Sequence, residues 1–302
     1  MRPAIIVHGG SGDIPPDQHE AHLRGTRHAV EAGWRVLAAG GSALNAVEAA
    51  IVAMEDDETF DAGRGAFLNA DGQVELDAGF MDGAGLQVGA VAGVQFIRNP
   101  IRLARAVMEK SEHVLLIAQG AERFAHRMGF PTCNLTDLAV PREFERWQRL
   151  LYDKTYSARK AFARPGDTVG CVAIDQEGHI AAGTSTGGTP NKMPGRVGDV
   201  PMVGCGFYAD DELGGASTTG WGEAIAKVIL ARLALHHLQD LGGPQAAAQA
   251  AIQVLADKAN GVGGVILLSP EGQPGWHYNT PYMAYAYRTA VMDAPVVSLT
   301  TE

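Results

Sequence analysis

The side chains best suited to chemistry lie in four short segments of the second half of the chain. Asp167-Thr168 stands where a basic, aliphatic-poor stretch (153–167, DKTYSARKAFARPGD) meets the β-branched run Thr168-Val-Gly-Cys-Val-Ala-Ile-Asp. Taken alone, Thr168 reads as an ordinary strand opening, where β-branched residues are common. As a nucleophile its hydroxyl is weak and needs a base beside it. Thr184-Ser185-Thr186-Gly187-Gly188 sets three hydroxyls and two permissive glycines at a strand end. Arg196 and Asp199 sit three apart in Gly195-Arg196-Val197-Gly198-Asp199. Either they pair at the surface, which is worth little, or they hold the two ends of a zwitterion, a guanidinium fork on a carboxylate and a carboxylate on an ammonium. Ser217-Thr218-Thr219-Gly220-Trp221-Gly222-Glu223 joins a strand to a helix, where hydroxyl and backbone N–H groups suit an oxyanion.

These segments need a scaffold of strands and helices, and the spacing predicts one. Ile5-Ile6-Val7 running into His8-Gly9-Gly10-Ser11-Gly12 reads as a buried strand entering a loop. A helix is expected within 17–39, ended by Gly40-Gly41, and a second over 43–54 with Ser42 as N-cap. Asn69-Ala70-Asp71-Gly72 reads as a hairpin loop between strands at 66–68 and 73–81. A strand at 88–95, a helix from Pro100 to about 110, an apolar run at 114–118 and a helix over 120–128 follow. The stretch 153–167 has a solvated linker composition. Beyond it, strands are expected from Thr168, at 179–186, 202–208 and 214–219, helices at 222–238 and 244–258, and strands at 263–269, 275–279 and 282–288. Elements come in blocks rather than strict alternation, which favours stacked sheets flanked by helices over a doubly wound parallel sheet.

Composition narrows the field of functions. The 302 residues carry 24 Lys and Arg against 34 Asp and Glu, a net charge of −10, which argues against nucleic acid or an anionic membrane as partner. Three cysteines, far apart and without zinc spacing, fit a reducing compartment. The apolar run Ala4–Val7 is too short for a signal h-region and no stretch reaches membrane-span length, so a cytoplasmic protein is expected. Three motifs are set aside. Gly83-Ala-Gly85-Leu-Gln-Val-Gly89 precedes a strand-like run instead of opening a helix, so it fails as a phosphate cradle. His19-Glu20-Ala21-His22 misses zinc spacing by one position and reads as solvated helix surface, as does His236-His237.

Read together, the motifs resemble the plant-type asparaginase and isoaspartyl peptidase family of N-terminal-nucleophile hydrolases. The resemblance runs along nearly the whole chain, through His8–Gly12, 40–50 (GGSALNAVEAA), 63–83, DTVG (167–170), TSTGG (184–188), GRVGD (195–199), TTGWGE (218–223) and 263–272. It implies an α+β fold, a four-layer αββα sandwich. One domain, 1–302, would be cut between Asp167 and Thr168 into an α subunit, 1–167, with a mobile linker at about 153–167, and a β subunit, 168–302.

Carried over residue by residue, the resemblance makes Thr168 the nucleophile and Thr186 the hydroxyl that supports it. Arg196 and Asp199 grip the substrate's α-carboxylate and α-amino group, Thr219 and Gly220 form the oxyanion hole, and Gly222 offers a backbone acceptor to the amine. No cofactor is implied for the chemistry. The backbone carbonyls of Met54, Glu55, Asp57, Phe60, Ala62 and Arg64 would hold a structural sodium ion. The implied substrate is a small amino acid or dipeptide, L-asparagine or a β-aspartyl dipeptide, and the implied assembly a homodimer of αβ units. Three positions depart from the family pattern: Asp61 where relatives usually carry Asn, Asp167 in place of Gly as in the glycosylasparaginase branch, and Trp221 where His or a small polar residue is usual. A glycosylasparaginase-like amidase and an uncleaved, non-enzymatic relative are the alternatives.

Overall fold

The computed structural model describes residues 3–153, 155–156 and 166–300, and for Gly166 and Asp167 the backbone only. The protein is mixed α/β. Its first strand, β1 (Ala4–Gly12), is buried throughout. Alternation along that strand divides its side chains between two cores: Ile5 and Val7 face one, Ala4 and Ile6 the other.

Helices α1 (His19–Ala38) and α2 (Ala43–Glu55) pack against each other, and α1 packs against β1. The Ser42 hydroxyl caps α2 by accepting from Asn45 N at 3.3 Å. Strands β2 (Leu76–Asp82) and β3 (Gln87–Val94) form a hairpin, and Pro100 opens α3 (Pro100–Lys110). Strand β4 (Leu115–Ile117) and helices α4 (Ala118–Arg127), α5 (Leu135–Leu138) and α6 (Pro141–Tyr152) follow. Then come β5 (Gly166–Ile174), β6 (Ile180–Thr186), β7 (Phe207–Asp210) and β8 (Gly214–Gly220). Helices α7 (Gly222–Val228), α8 (Leu230–Leu241) and α9 (Pro244–Ala259) precede β9 (Gly263–Leu268), β10 (Pro274–Tyr278), β11 (Tyr282–Thr289) and β12 (Val296–Ser298).

The strands make an eight-stranded sheet of order β12-β11-β1-β5-β6-β2-β3-β4 and a four-stranded sheet of order β10-β9-β8-β7. One apolar core joins the sheets, with Ile6, Val172 and Ile180 of the larger meeting Phe207, Ile266 and Leu268 of the smaller. A second core lies between the larger sheet and α1 to α4, and a third between the smaller sheet and α7 to α9. At Gly79 the sheets approach so closely that a β-carbon would lie 2.0 Å from the Phe207 ring.

Several expectations from the sequence change. The strand expected at 66–68 reduces to a single bridge, Leu68 to Val74, and the one expected at 73–81 is present as β2, which begins only at Leu76. In between, Asn69 Oδ1 accepts from the N–H groups of Asp71 and Gln73, a side-chain turn that replaces a ladder. The strand at 202–208 shortens to Phe207–Asp210, and the helix at 222–238 breaks at Ile229. Strand β5 opens at Gly166, two residues before Thr168; residues 154 and 157–165 of the expected linker lie outside the described set. Helix α6 and strand β12 were not anticipated.

Candidate active site

Thr168, Thr186 and His8 all project into the space between the sheets, because each occupies an even position on a strand whose even positions face the second sheet. Val169 pairs with Ser185 in the β5–β6 ladder, so Thr168 comes beside Thr186 at the end of β6. Their hydroxyl oxygens are 3.1 Å apart and buried. Thr186 Oγ1 donates to Asp61 Oδ2 at 3.2 Å and accepts from Gly188 N at 3.0 Å. A hydroxyl has one proton, and Asp61 takes it; the Thr168 hydroxyl is therefore the donor to Thr186. Asp61 is itself held by Phe67 N, which donates to Oδ1 at 2.8 Å.

His8 braces Thr168 from behind. Its Nδ1 lies 3.1 Å from the Thr168 carbonyl and its Nε2 2.8 Å from Ser217 Oγ. A carbonyl only accepts, so Nδ1 carries the proton and Nε2 accepts from Ser217. Burial holds the imidazole neutral, its pKa lowered to about 3. The three groups fit only because residue 170 is glycine: a β-carbon there would lie 2.0 Å from Ser217 Oγ and 2.3 Å from His8 Nε2. Sequence reading passed over His8 and Ser217. The signal was available for His8, which continues the inward alternation of Ala4 and Ile6 along β1.

The sheet-to-sheet contacts bring the expected oxyanion segment to the same place. Gly215 lies against Val172, and Ser217 against Gly170. Continuing by two residues along each strand sets Thr219 opposite Thr168. The Thr219 hydroxyl is buried, with no hydrogen-bond partner among the described residues. A buried hydroxyl left unpaired costs roughly 1–3 kcal/mol, as expected of a donor kept for a ligand. Its backbone carbonyl accepts from Ser11 Oγ at 3.5 Å. Gly220 follows at φ 134°, where a β-carbon would sit 2.4 Å from Gly263 Cα, so glycine is required.

Arg196 and Asp199 do not pair on the surface. Both are largely buried, in the loop between β6 and β7, and each has another partner. Arg196 donates from Nε and Nη2 to the two carboxylate oxygens of Glu223, 2.9 Å each. Asp199 Oδ2 accepts from Thr218 Oγ1 at 3.1 Å. Burial raises the Asp199 carboxyl to about 6, with Arg196 partly offsetting it. Gly222 sits against both groups: a β-carbon there would be 2.7 Å from Asp199 Oδ1 and 3.0 Å from Arg196 Nη2. A cation and an anion thus flank a glycine one residue beyond Trp221. This arrangement suits a zwitterion.

The expected cation loop partly fits a carbonyl cage. Carbonyls of Glu55, Glu58 and Phe60 turn in on the Gly63–Gly65 segment: a β-carbon on Gly65 would lie 2.6 Å from Phe60 O and 2.7 Å from Glu58 O, and one on Gly63 2.5 Å from Glu55 O. Met54, Glu55 and Asp57 carbonyls already accept from Asp57, Arg64 and Phe60 N–H groups. No cluster of three His, Cys, Asp or Glu suited to a metal occurs among the described residues. The Asp167 side chain lies outside those residues.

The motifs set aside behave as expected, with one correction. Gly83–Gly89 turns from β2 into β3 and opens no helix. His236 is exposed and His237 half-buried. His22, however, is fully buried: Nδ1 donates to Gln18 O at 2.9 Å and the ring packs edge-on against Phe60. The helix face there is turned inward because Phe60 folds back over it. The three cysteines are free, and no helix is long and apolar enough to cross a membrane among the described residues.

Comparison with known proteins follows the same outline. The profile of the asparaginase family matches residues 1–297. The isoaspartyl peptidase/L-asparaginase of Xenopus laevis is 44% identical over 286 residues, covering 95% of this chain and 92% of that protein. The Homo sapiens protein of the same name is 46% identical over 274 residues, 90% and 88% of the two chains. The plant-type L-asparaginase of Pyrococcus abyssi is 44% identical over 306 residues, 97% and 98% of the two.

Proposed function

Because the chain belongs to the asparaginase family, we propose that it is a self-cleaving amidohydrolase. Freed as a new N-terminus, Thr168 would hydrolyse the side-chain amide of L-asparagine or the isoaspartyl bond of β-aspartyl dipeptides. The names of its relatives support both substrates. The observation that carries the reading is the buried Thr168–Thr186 hydroxyl pair at the end of β6.

In the continuous chain the Thr168 nitrogen belongs to a peptide bond and is no base. Cleavage begins when Thr168 Oγ1 attacks the Asp167 carbonyl. The C–N bond breaks, the leaving nitrogen takes up the hydroxyl proton to become a free amine, and water hydrolyses the resulting ester. The new α-amino group, with a reference pKa of about 7.7–8.0, then serves as general base near neutral pH.

In turnover it takes the hydroxyl proton as Oγ1 attacks the substrate's side-chain carbonyl. Thr219 and Gly220 hold the oxyanion, and ammonia or an amine leaves with the proton. Water splits the β-aspartyl ester to release aspartate and restore the hydroxyl. Arg196 takes the α-carboxylate; Asp199 and the Gly222 carbonyl take the α-ammonium. Thr186, its own proton given to Asp61, orients the Thr168 hydroxyl in the uncut chain by accepting a hydrogen bond from it.

The same reading makes the fold a four-layer αββα sandwich, supported by two facing sheets with helical cores outside each. It makes residues 1–167 and 168–302 the two subunits of one domain and pairs two such units in a cytoplasmic homodimer. A sodium ion would be held by the loop carbonyls, those of Glu55 and Phe60 among them, and would brace the segment carrying Asp61. Glycosylated asparagine is a second substrate reading, favoured by Asp167 alone.

Intact mass under denaturing conditions, before and after days of incubation, tests the proposal. Two fragments meeting at Asp167 and Thr168 are expected, with neither cleavage nor asparagine hydrolysis in Thr168→Ala. A lasting single chain, or an active Thr168→Ala protein, sinks it.

A further inference from the structure

Arg196 has two edges on which a carboxylate can dock, and one is already taken. Glu223 occupies the edge formed by Nε and Nη2, with both bonds at 2.9 Å. The other edge, Nη1 with the second hydrogen of Nη2, is bordered by three glycines. A β-carbon would fall 2.9 Å from Nη1 at Gly198, 3.3 Å from Nη1 at Gly188 and 3.0 Å from Nη2 at Gly222. Nη1 donates to no partner among the described residues. An internal carboxylate thus fixes the guanidinium plane, and glycines at 188, 198 and 222 keep β-carbons away from its second edge.

We propose that Glu223 is a positioning residue: its two-point pair with the Nε/Nη2 edge aims the Nη1/Nη2 edge of Arg196 at the substrate's α-carboxylate. This inference rests on the amino-acid substrate proposed above. An arginine side chain loses several rotatable bonds' freedom on binding, and a planar two-point pair made in advance removes that loss from the binding step. Arg196 is anchored at a point only one residue beyond the Gly222 acceptor, so the aim is set relative to the site itself. The Trp221 indole also hydrogen-bonds the Glu223 carboxylate.

A rival role for the same pair gives the opposite sign. If Glu223 stood in for substrate and had to be displaced, removing it would tighten binding. On cleaved protein, L-aspartate titration reads the α-carboxylate contact without turnover. Glu223→Gln is expected to weaken L-aspartate binding about tenfold and to raise KM for L-asparagine equally, with kcat within about twofold. L-Asparagine α-amide, which lacks the carboxylate, should lose no more than about twofold in kcat/KM. Unchanged or tighter L-aspartate binding overturns the inference, as does an equal loss on both substrates, which would mark general damage. Should Glu223→Gln arrest at the precursor, Trp221→Phe keeps the ring, removes the N–H and is expected to give about a threefold effect of the same pattern. A wild-type protein that binds L-aspartate, loses that binding in Glu223→Gln, and yet hydrolyses neither asparagine nor isoaspartyl dipeptides would sink the proposed reaction while sustaining the role of Glu223.

Discussion

Asp199 carries a pH dependence that its neighbours do not share. Its carboxyl is pushed up to about 6 by burial, against the pull of Arg196 and the Thr218 hydrogen bond. α-Amino groups, with reference values of about 7.7–8.0, stay protonated from pH 5 to about 7, so in that range the Asp199 carboxylate is the member of the proposed contact that changes charge. Above pH 6 Asp199 is anionic and attracts the ammonium; below it the carboxyl is neutral and that attraction is lost. Affinity for L-aspartate is therefore expected to level off as pH rises from 6 to about 7 and to fall by up to about tenfold per unit below 6. In Asp199→Asn, binding should be weaker and lack this acid limb. Calorimetry across pH checks both. An acid limb that survives in Asp199→Asn would assign it to another group. His8, lowered to about 3, stays neutral over the whole range and contributes no limb of its own.

The break between α7 and α8 is where local sequence rules and the folded chain disagree most. Ile225, Val228, Ile229 and Leu233 are spaced as one helix face, and nothing in 222–238 is a breaker. Yet Ile229 adopts φ 53°, a conformation that costs a β-branched residue about 1–2 kcal/mol. The turn lets the N–H groups of Ala231 and Arg232 donate to the Cys205 and Gly204 carbonyls, tying α8 to the loop that follows Asp199. Ile229→Gly is expected to stabilise the protein by about 1 kcal/mol, read as a rise of about 2 °C in the unfolding midpoint. A fall would mean that packing of the Ile229 methyl beside Gly204, where an added β-carbon would lie 3.1 Å from it, outweighs the strain. Elements made by periodicity and caps, such as β1 and Ser42-capped α2, were legible in the sequence. So were Thr168, Thr186 and Thr219 as hydroxyls at strand ends. The partners of Arg196 were not, because Glu223 is 27 positions away and only the fold brings the two together. Likewise the His8–Ser217 bond spans 209 positions and the two sheets.

The order of strands decides what becomes of the protein once cut. Within the eight-stranded sheet β1 lies between β5 and β11, and β2 beside β6. Both halves of the chain therefore alternate within one sheet: β1, β2, β3 and β4 precede Thr168, while β5 mostly follows it and β6, β11 and β12 lie wholly beyond. Separating them would break three ladders and open the core in which Ile5 and Val7 pack with Cys171 and Ala173. Each half would then expose a strand edge and apolar surface that no solvent-facing pattern protects. Scission of one bond at the Asp167–Thr168 junction removes none of these contacts. The fragments are accordingly expected to elute together under native conditions and to part only in denaturant. The isolated 1–167 piece should aggregate, since β1 would have lost both neighbours and β2 its partner β6. Native elution of the two pieces as separate, folded species would contradict the interleaved sheet. Co-elution at twice the mass of one cut chain would instead support the proposed pairing of two αβ units, and dilution would then show whether that contact is as strong as the one inside the sheet.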